Sequence, residues 1–370
     1  MTIEVRELAV PAAYDDGTRA WATFAEMVAV RNAVMAHTWD GDAATHAITT
    51  REAYGTASSQ EDERLVYLGG WLDGRLVARG YVELSRREAL HVAGVDVLVL
   101  PEARRRGVGT AVWRAARAIC EADGRTTVQA WVDHRPATGP AIPAPTGFGS
   151  VPADAPEVGF LLRQGFVLEQ VERMSELCLD DATAELERLR DAALPHALGY
   201  AIRTWTGRTP PELLDALAAL HRRMSTDAPA AGLDHEEEDW DAGRVERIEE
   251  VEERRGRDML RAVAVHEATG ALVAFTTLVV ASPDRPIYQH DTLVHADHRG
   301  HRLGMLVKVA NLLALAERVP HGARVMTWNA EENRPMLRVN EALGFRAIGY
   351  EGAWQLVRGS SWPDGLPSSA

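Results

Sequence analysis

The segment Arg104-Arg105-Arg106-Gly107-Val108-Gly109 recurs as Arg299-Gly300-His301-Arg302-Leu303-Gly304, and each copy joins a strand-like apolar run to a helix-like one. Other landmarks repeat with it. Arg104 and Arg299 lie 195 residues apart, as do Asp96 and Asp291, while Trp131 and Trp328 lie 197 apart. A common period across separate landmarks marks two copies of one structural unit. A chain of 370 residues can give each copy a core of its own. Whatever fold is assigned to one half must therefore be available to the other.

The first half opens with a strand, and Trp21, Phe24, Met27, Val28 and Val34 then recur at helical spacing from Thr18 to about His37. Runs 65–71 and 76–84 flank Asp73-Gly74, a pair suited to a tight hairpin turn. A strand over 92–100 leads into the arginine-glycine turn, then a helix from Val108 to about Ala122 and a strand over 127–132. Strand, turn, helix, strand is a parallel crossover unit. Residues 135–156, rich in Pro, Gly and Ala, read as an irregular loop serving as a lid or a spacer. It is an insertion in the first copy, because Gly165-Phe166 and Gly344-Phe345 are only 179 residues apart.

Asp180-Asp181 are expected to cap a connecting helix carrying Leu186, Leu189 and Leu194. The second half then repeats the order: a strand over 199–205, a helix over 213–220, strands 262–266 and 272–279 around Thr269-Gly270, a strand over 288–294, the second turn, and a helix from 303 to about 317. The expected domains are 1–179, a connecting helix 180–198, and 199–357, with 358–370 as a flexible tail.

A formal net charge of −14 argues against general nucleic-acid binding, which needs clustered Lys and Arg to neutralise phosphates. A cationic small molecule would be tolerated. The acidic stretch 236–239 with Glu249, Glu250, Glu252 and Glu253 is interleaved with arginines at helical spacing and reads as a solvated helix face. There is no charged leader with an apolar core and no apolar run of membrane length, so a cytoplasmic protein with no membrane partner is expected. Cys120 and Cys178 sit in apolar settings without disulfide or metal spacing, and both are expected to pack. His290, His295, His298 and His301 are dense but lack a ligand pair at helical spacing, so no metal is expected.

Consecutive backbone N–H groups at a helix N-terminus offer donors and partial positive charge to a pyrophosphate, and glycine lets the backbone come close. The spacing Arg-x-x-Gly-x-Gly differs from both the dinucleotide fingerprint and the Gly-Lys-Ser/Thr phosphate loop. The first copy fits it fully; in the second, Arg302 replaces one glycine, and its guanidinium is expected to point outward while its amide stays available.

With these turns, the strand residues Asp291-Thr292-Leu293-Val294, the strand Val325 to Trp328, and Asn333-Arg334-Pro335-Met336 up to Gly344-Phe345, the chain resembles the GNAT family of N-acetyltransferases in its tandem two-domain form. The resemblance implies an α/β (α+β) fold of two GNAT-like domains, each a mixed, splayed sheet flanked by helices. It implies acetyl-CoA as co-substrate, no metal, and a small-molecule primary amine as acceptor. The pyrophosphate would lie on Arg299, Gly300, His301, Arg302, Leu303 and Gly304, or on Arg104, Arg105, Arg106, Gly107, Val108 and Gly109. An N–H near Val294, or Val99 in the first copy, would face the thioester oxygen, and Asn333 would contact the cofactor arm.

For catalysis the resemblance points to Asp291, matched by Asp96, as the group that holds or deprotonates the amine. Family members often place a tyrosine where this chain has Asn340 and, in the first copy, Leu161; Asn340 could orient the thiol, and Tyr288 is the fallback acid. On these polar groups the C-terminal half is preferred for catalysis. The alternative is a non-catalytic acyl-CoA-binding module or scaffold. Acceptor identity and oligomeric state stay open.

Overall fold

The computed structural model describes residues 1–41, 46–180, 182–281, 285–319 and 322–359. It divides into two units, one made of 1–172, 230–235 and the chain from Tyr350 onward, the other of 173–229 and 236–349. The first unit is thus discontinuous in sequence, taking a short segment from the second half and the chain's last strand.

In the first unit, β1 (Ile3–Leu8) is followed by α1 (Arg19–Thr38) and α2 (Thr50–Ala57). Thr18 caps α1 by accepting from the Trp21 amide. Strands β2 (Glu63–Leu72) and β3 (Arg75–Ser85) form a hairpin whose turn residues, Asp73 and Gly74, have φ of 49° and 83°, as the sequence requires. Then come β4 (Val92–Val99), α3 (Val108–Ala122) and β5 (Thr127–His134). The expected irregular loop contains a small hairpin, β6 (Ala141–Pro143) with β7 (Ser150–Pro152), which buries Val151. Helix α4 (Pro156–Gln164) and β8 (Val167–Cys178) follow.

The second unit holds α5 (Thr183–Ala193), β9 (Tyr200–Thr206), α6 (Leu214–Asp227), α7 (Ala242–Arg255), β10 (Asp258–His266), β11 (Ala271–Val280), β12 (Ile287–Val294), α8 (Leu303–Ala316), β13 (Arg324–Ala330) and α9 (Arg334–Leu343). Last is β14 (Arg346–Val357), which ends in the first unit.

Both units carry the same sheet. β1-β2-β3-β4 is antiparallel and β5 joins parallel to β4; β9-β10-β11-β12 is antiparallel and β13 joins parallel to β12. In the first unit, Tyr350–Val357 of β14 then pairs antiparallel with all of β5. Helices α1 and α3 cover the sheet of the first unit, with Phe24, Met27 and Val28 of α1 and Val108, Val112 and Ala116 of α3 in its core. Gly70 and Gly80 let α3 approach: a Cβ on either would come within 2.8 Å of Val112.

Several local expectations are corrected. α5 starts after Ala182, which makes no side-chain cap, and Asp180 instead accepts from the Gly322 amide at 2.6 Å. Asp181 and most of the expected tail lie outside the described residues. Cys120 is buried but Cys178, the last residue of β8, is exposed. The acidic stretch is not merely a solvated face: Glu249 and Glu252 are buried, and Glu249 pairs with the buried Arg261 and accepts from Thr209 Oγ1 at 2.6 Å. Among the described residues no helix is long and apolar enough to cross a membrane.

Candidate active site

In both units the parallel strand pair holds together only at one end. β4 and β5 pair over Val92–Gly94 with Thr127–Gln129, and β12 and β13 over Ile287–Tyr288 with Val325–Met326. Beyond those points the strands diverge, leaving Val95–Val99 and Gln289–Val294 without a paired strand on that side, although Thr327 Oγ1 of β13 still donates to Gln289 O at 3.3 Å. Such an edge can hydrogen-bond an extended ligand as a further strand would. Tyr288 stands at the closed end of its split, its ring 5.9 Å from that of Trp328.

Each diverging strand runs into its arginine-glycine turn. The turns share one device: Arg104 Nε donates to Val99 O at 3.2 Å, and Arg299 Nε to Val294 O at 3.3 Å. They also share a backbone with two left-handed residues. In the first turn these are Arg105 (φ 60°) and Gly107 (φ 84°); in the second they are Gly300 (φ 88°) and Arg302 (φ 54°). Glycine and arginine have exchanged places while the path of the chain is kept. Both turns deliver the first, internally unsatisfied amides of α3 and α8. A Cβ on Gly109 would lie 3.3 Å from Val99, and one on Gly304 3.4 Å from Val294, so helix and strand touch here.

In the first unit a cavity of about 1270 Å³ starts at this turn, where Arg104, Arg105, Gly107 and Gly109 line it with Phe160 and Leu161 of α4. It continues between the diverging strands to Arg31, Val34 and Met35 of α1. That exceeds what one drug-sized ligand fills, so the cavity has room for an extended ligand and a second small molecule. Gly94, the last β4 residue paired with β5, lines it too, and so does Trp131, which is 43% exposed.

Four neighbouring strands each contribute one carboxylate to this cavity: Glu83 from β3, Asp96 from β4, Asp133 from β5 and Glu351 from β14. Asp96 Oδ2 is 3.2 Å from Arg79 Nη1, yet burial outweighs that guanidinium and Arg31 and raises the Asp96 pKa. Glu83 accepts from Tyr81 Oη at 2.9 Å and is likewise raised by burial. Asp133 and Glu351 face each other in the β5–β14 register. Burial, opposed by Arg31, His134 and Trp39, pushes Asp133 up to about 6. Burial and the charges of Asp133 and Glu172 raise Glu351 well above the usual carboxylate range. Carboxyls held high beside a cavity are suited to proton transfer near neutral pH.

The polar groups of the second unit are engaged with one another. His221 Nδ1 lies 3.3 Å from Asp291 Oδ2; although burial opposes it, His221 together with His290 and Arg261 holds Asp291 below the usual range. Asn340 is buried, accepting from Lys308 Nζ at 2.8 Å and donating to Asn329 Oδ1 at 2.6 Å. Asn333 caps α9, its Oδ1 accepting from the Met336 amide at 3.3 Å. Arg299 also reaches Asp227 Oδ2 at 2.8 Å, and His301 Nδ1 lies 3.1 Å from His196 O. The Arg302 guanidinium reaches back to Ala192 O at 3.5 Å.

Sequence reasoning missed Asp133, Glu351, Glu83 and Arg79. Asp133 lies two residues beyond Trp131, on the same strand face. For Glu351 no local signal exists, since only the pairing of the last strand with β5 brings it to this site. Among the described residues no cluster of His, Cys, Asp and Glu has a metal-holding arrangement.

Residues 32–141 match the acetyltransferase (GNAT) family model. Among solved structures, a tandem GNAT protein from the clavulanic acid biosynthesis pathway is 27% identical with a TM-score of 0.72, covering 96% of this chain and 98% of that one. A GCN5-related N-acetyltransferase from Sphaerobacter thermophilus (14% identical, TM-score 0.60, 96% and 95% covered) and a putative acetyltransferase from Pyrococcus horikoshii (13%, 0.55, 96% and 90%) share the fold. A search of the curated proteins returned no match.

Proposed function

We propose that this chain, a tandem GNAT-fold protein whose first half carries the family's acetyltransferase domain, transfers an acetyl group from acetyl-CoA to a primary amine of a small molecule, with catalysis in the N-terminal unit. The observation that carries this reading is one cavity of about 1270 Å³ joining the first arginine-glycine turn, the strand split and a set of raised carboxyls.

In this reading the amides of 105–109 and the guanidinium of Arg104 or Arg105 hold the diphosphate. The β4 edge up to Val99 holds the pantetheine arm, and a β4 amide stabilises negative charge on the thioester oxygen. Asp96, beside Arg79, orients the amine. A neutral amine nitrogen attacks the carbonyl carbon; the C–N bond forms and the C–S bond breaks. Leu161, at the position of the family's tyrosine, cannot protonate the leaving thiolate, so that proton comes from the amine through the site's carboxyls or water.

The C-terminal half, which the sequence favours for catalysis, keeps the fold but has Asp291, Asn340 and Asn333 engaged within the protein. That supports a scaffold role for it. Isothermal titration with acetyl-CoA and thiol release over an amine panel test the assignment. Gly109→Trp is expected to weaken acetyl-CoA binding by more than about tenfold and Asp96→Asn to abolish turnover, with Gly304→Trp and Asp291→Asn close to wild type. The reverse pattern would move catalysis to the C-terminal half, and a wild type that binds acetyl-CoA but never releases thiol would leave a binding module.

A further inference from the structure

The N-terminal cavity has two chemically different ends. At the turn it is lined by arginines, glycines and α3 residues; at the other end α1, β5 and β14 close it. Tyr67 packs on Phe24 of α1, and β3 alternation puts Arg79, Tyr81 and Glu83 on that same face, with Asp96 opposite Tyr81. The far end is therefore on the α1 side of the sheet.

There, Asp133 and Glu351 are directly opposed across two antiparallel strands, and both line the cavity. Like charges directly opposite each other are destabilising unless a proton or a cation lies between them. Arg79 is spent on Asp96, and neither Asp133 nor Glu351 has an ion-pair partner among the described residues. The other charged groups near the pair are Arg31 from α1, Asp96 and Glu172; His134, next to Asp133 in β5, turns to the opposite face of the sheet, 3.4 Å from Glu157. A single guanidinium, that of Arg31, does not balance the two opposed carboxylates.

We propose that Asp133 and Glu351 together form the ammonium-binding and proton-accepting end of the N-terminal site, so that the acceptor is a cationic alkylamine and the chain's last strand completes the site of its first half. This rests on the acetyl transfer argued above. The ammonium enters beside the pair and gives one N–H proton to it, leaving a neutral amine whose lone pair attacks the thioester carbon. As the C–S bond breaks, the thiolate takes a second N–H proton, directly or through water. The amide keeps the third hydrogen, and the pair returns its proton to solvent.

The test uses full-length wild type, Glu351→Gln, Glu351→Asp and Asp133→Asn, each checked by thermal melting. Acetyl-CoA affinity is measured by titration, and the pH profile of kcat/KM is measured with primary alkylamines. Glu351→Gln is expected to bind acetyl-CoA within twofold of wild type and lose about 10²-fold in kcat/KM. Its acid limb should move to lower pH, because Asp133 no longer shares a proton, and Glu351→Asp should restore part of the rate. Asp133→Asn reads the same pair should Glu351→Gln not fold. Turnover within threefold of wild type with an unmoved limb, or acetyl-CoA binding lost together with turnover, overturns the pair's role while leaving acetyl transfer standing. A wild type that releases no thiol with any amine overturns acetyl transfer itself, and the pair with it.

Discussion

Arg302 and Gly300 occupy the two left-handed positions of the second turn in the opposite order from Arg105 and Gly107 in the first. A side chain in that conformation costs about 1–2 kcal/mol, and glycine's extra unfolded-state freedom returns about half of it. Arg302→Gly should therefore raise stability by about 0.5–1 kcal/mol, read as a higher urea midpoint at unchanged slope. Lys308 makes a second residue-scale prediction. It is 1% exposed, and burial lowers its pKa to about 7. Between that value and the ordinary lysine range the unfolded chain binds the extra proton, so stability rises with pH over this window and is lowest below it. Wild-type unfolding free energy should climb by a few kcal/mol from pH 7 to 10, and Lys308→Met should flatten that rise. The turns were legible from the residues because a close-approaching backbone constrains residue type locally. Asp133 and Glu351 were not, because each is an ordinary strand residue until the other is placed beside it.

At the scale of elements, most strands and long helices follow from apolar periodicity, and the strand split was anticipated from the resemblance. Helix α2 escaped, although Thr49 and Glu52 form a reciprocal capping box that the spacing Thr-x-x-Glu announces. The segment 230–235 was also invisible, because it is neither helix nor strand and is fixed by tertiary hydrogen bonds. Gln355 Oε1 accepts from the Asp234 amide at 2.7 Å and from Gln129 Nε2 at 2.9 Å, and its Nε2 donates to Gly232 O at 3.1 Å. Asp234 Oδ2 completes the clasp with His91 Nε2 at 2.9 Å. Gln355→Leu strands these buried groups and should cost about 2–3 kcal/mol. Limited proteolysis should then cut within 230–235 before any other cleavage; an intact segment at equal protease would show that the clasp does not hold it.

For the whole molecule, the decisive fact is that the first unit is not built from the first half alone. The sequence period suggests a boundary near residue 179, because a repeat announces where each copy begins. It says nothing about which copy a given strand joins. Strand β14 pairs with β5 over eight consecutive residues, Tyr350 with His134 through Val357 with Thr127, and Trp354 and Leu356 enter the core of the first unit. A fragment of residues 1–179 would keep its turn and helix α3 but expose the edge of β5 and leave a Trp-sized gap in its core. Losing a buried Trp alone costs about 3–5 kcal/mol, and an unpaired interior strand invites association. The fragment is expected to be aggregated or unfolded by circular dichroism and size exclusion, and to bind no acetyl-CoA in a titration where the full chain binds. Ending the chain at Gly349 removes the same strand, along with Glu351, and should fail in the same way. A 1–179 fragment that melted cooperatively as a monomer would mean that the last strand is an accessory to the first unit, and its carboxylate would lose the structural reason for being there.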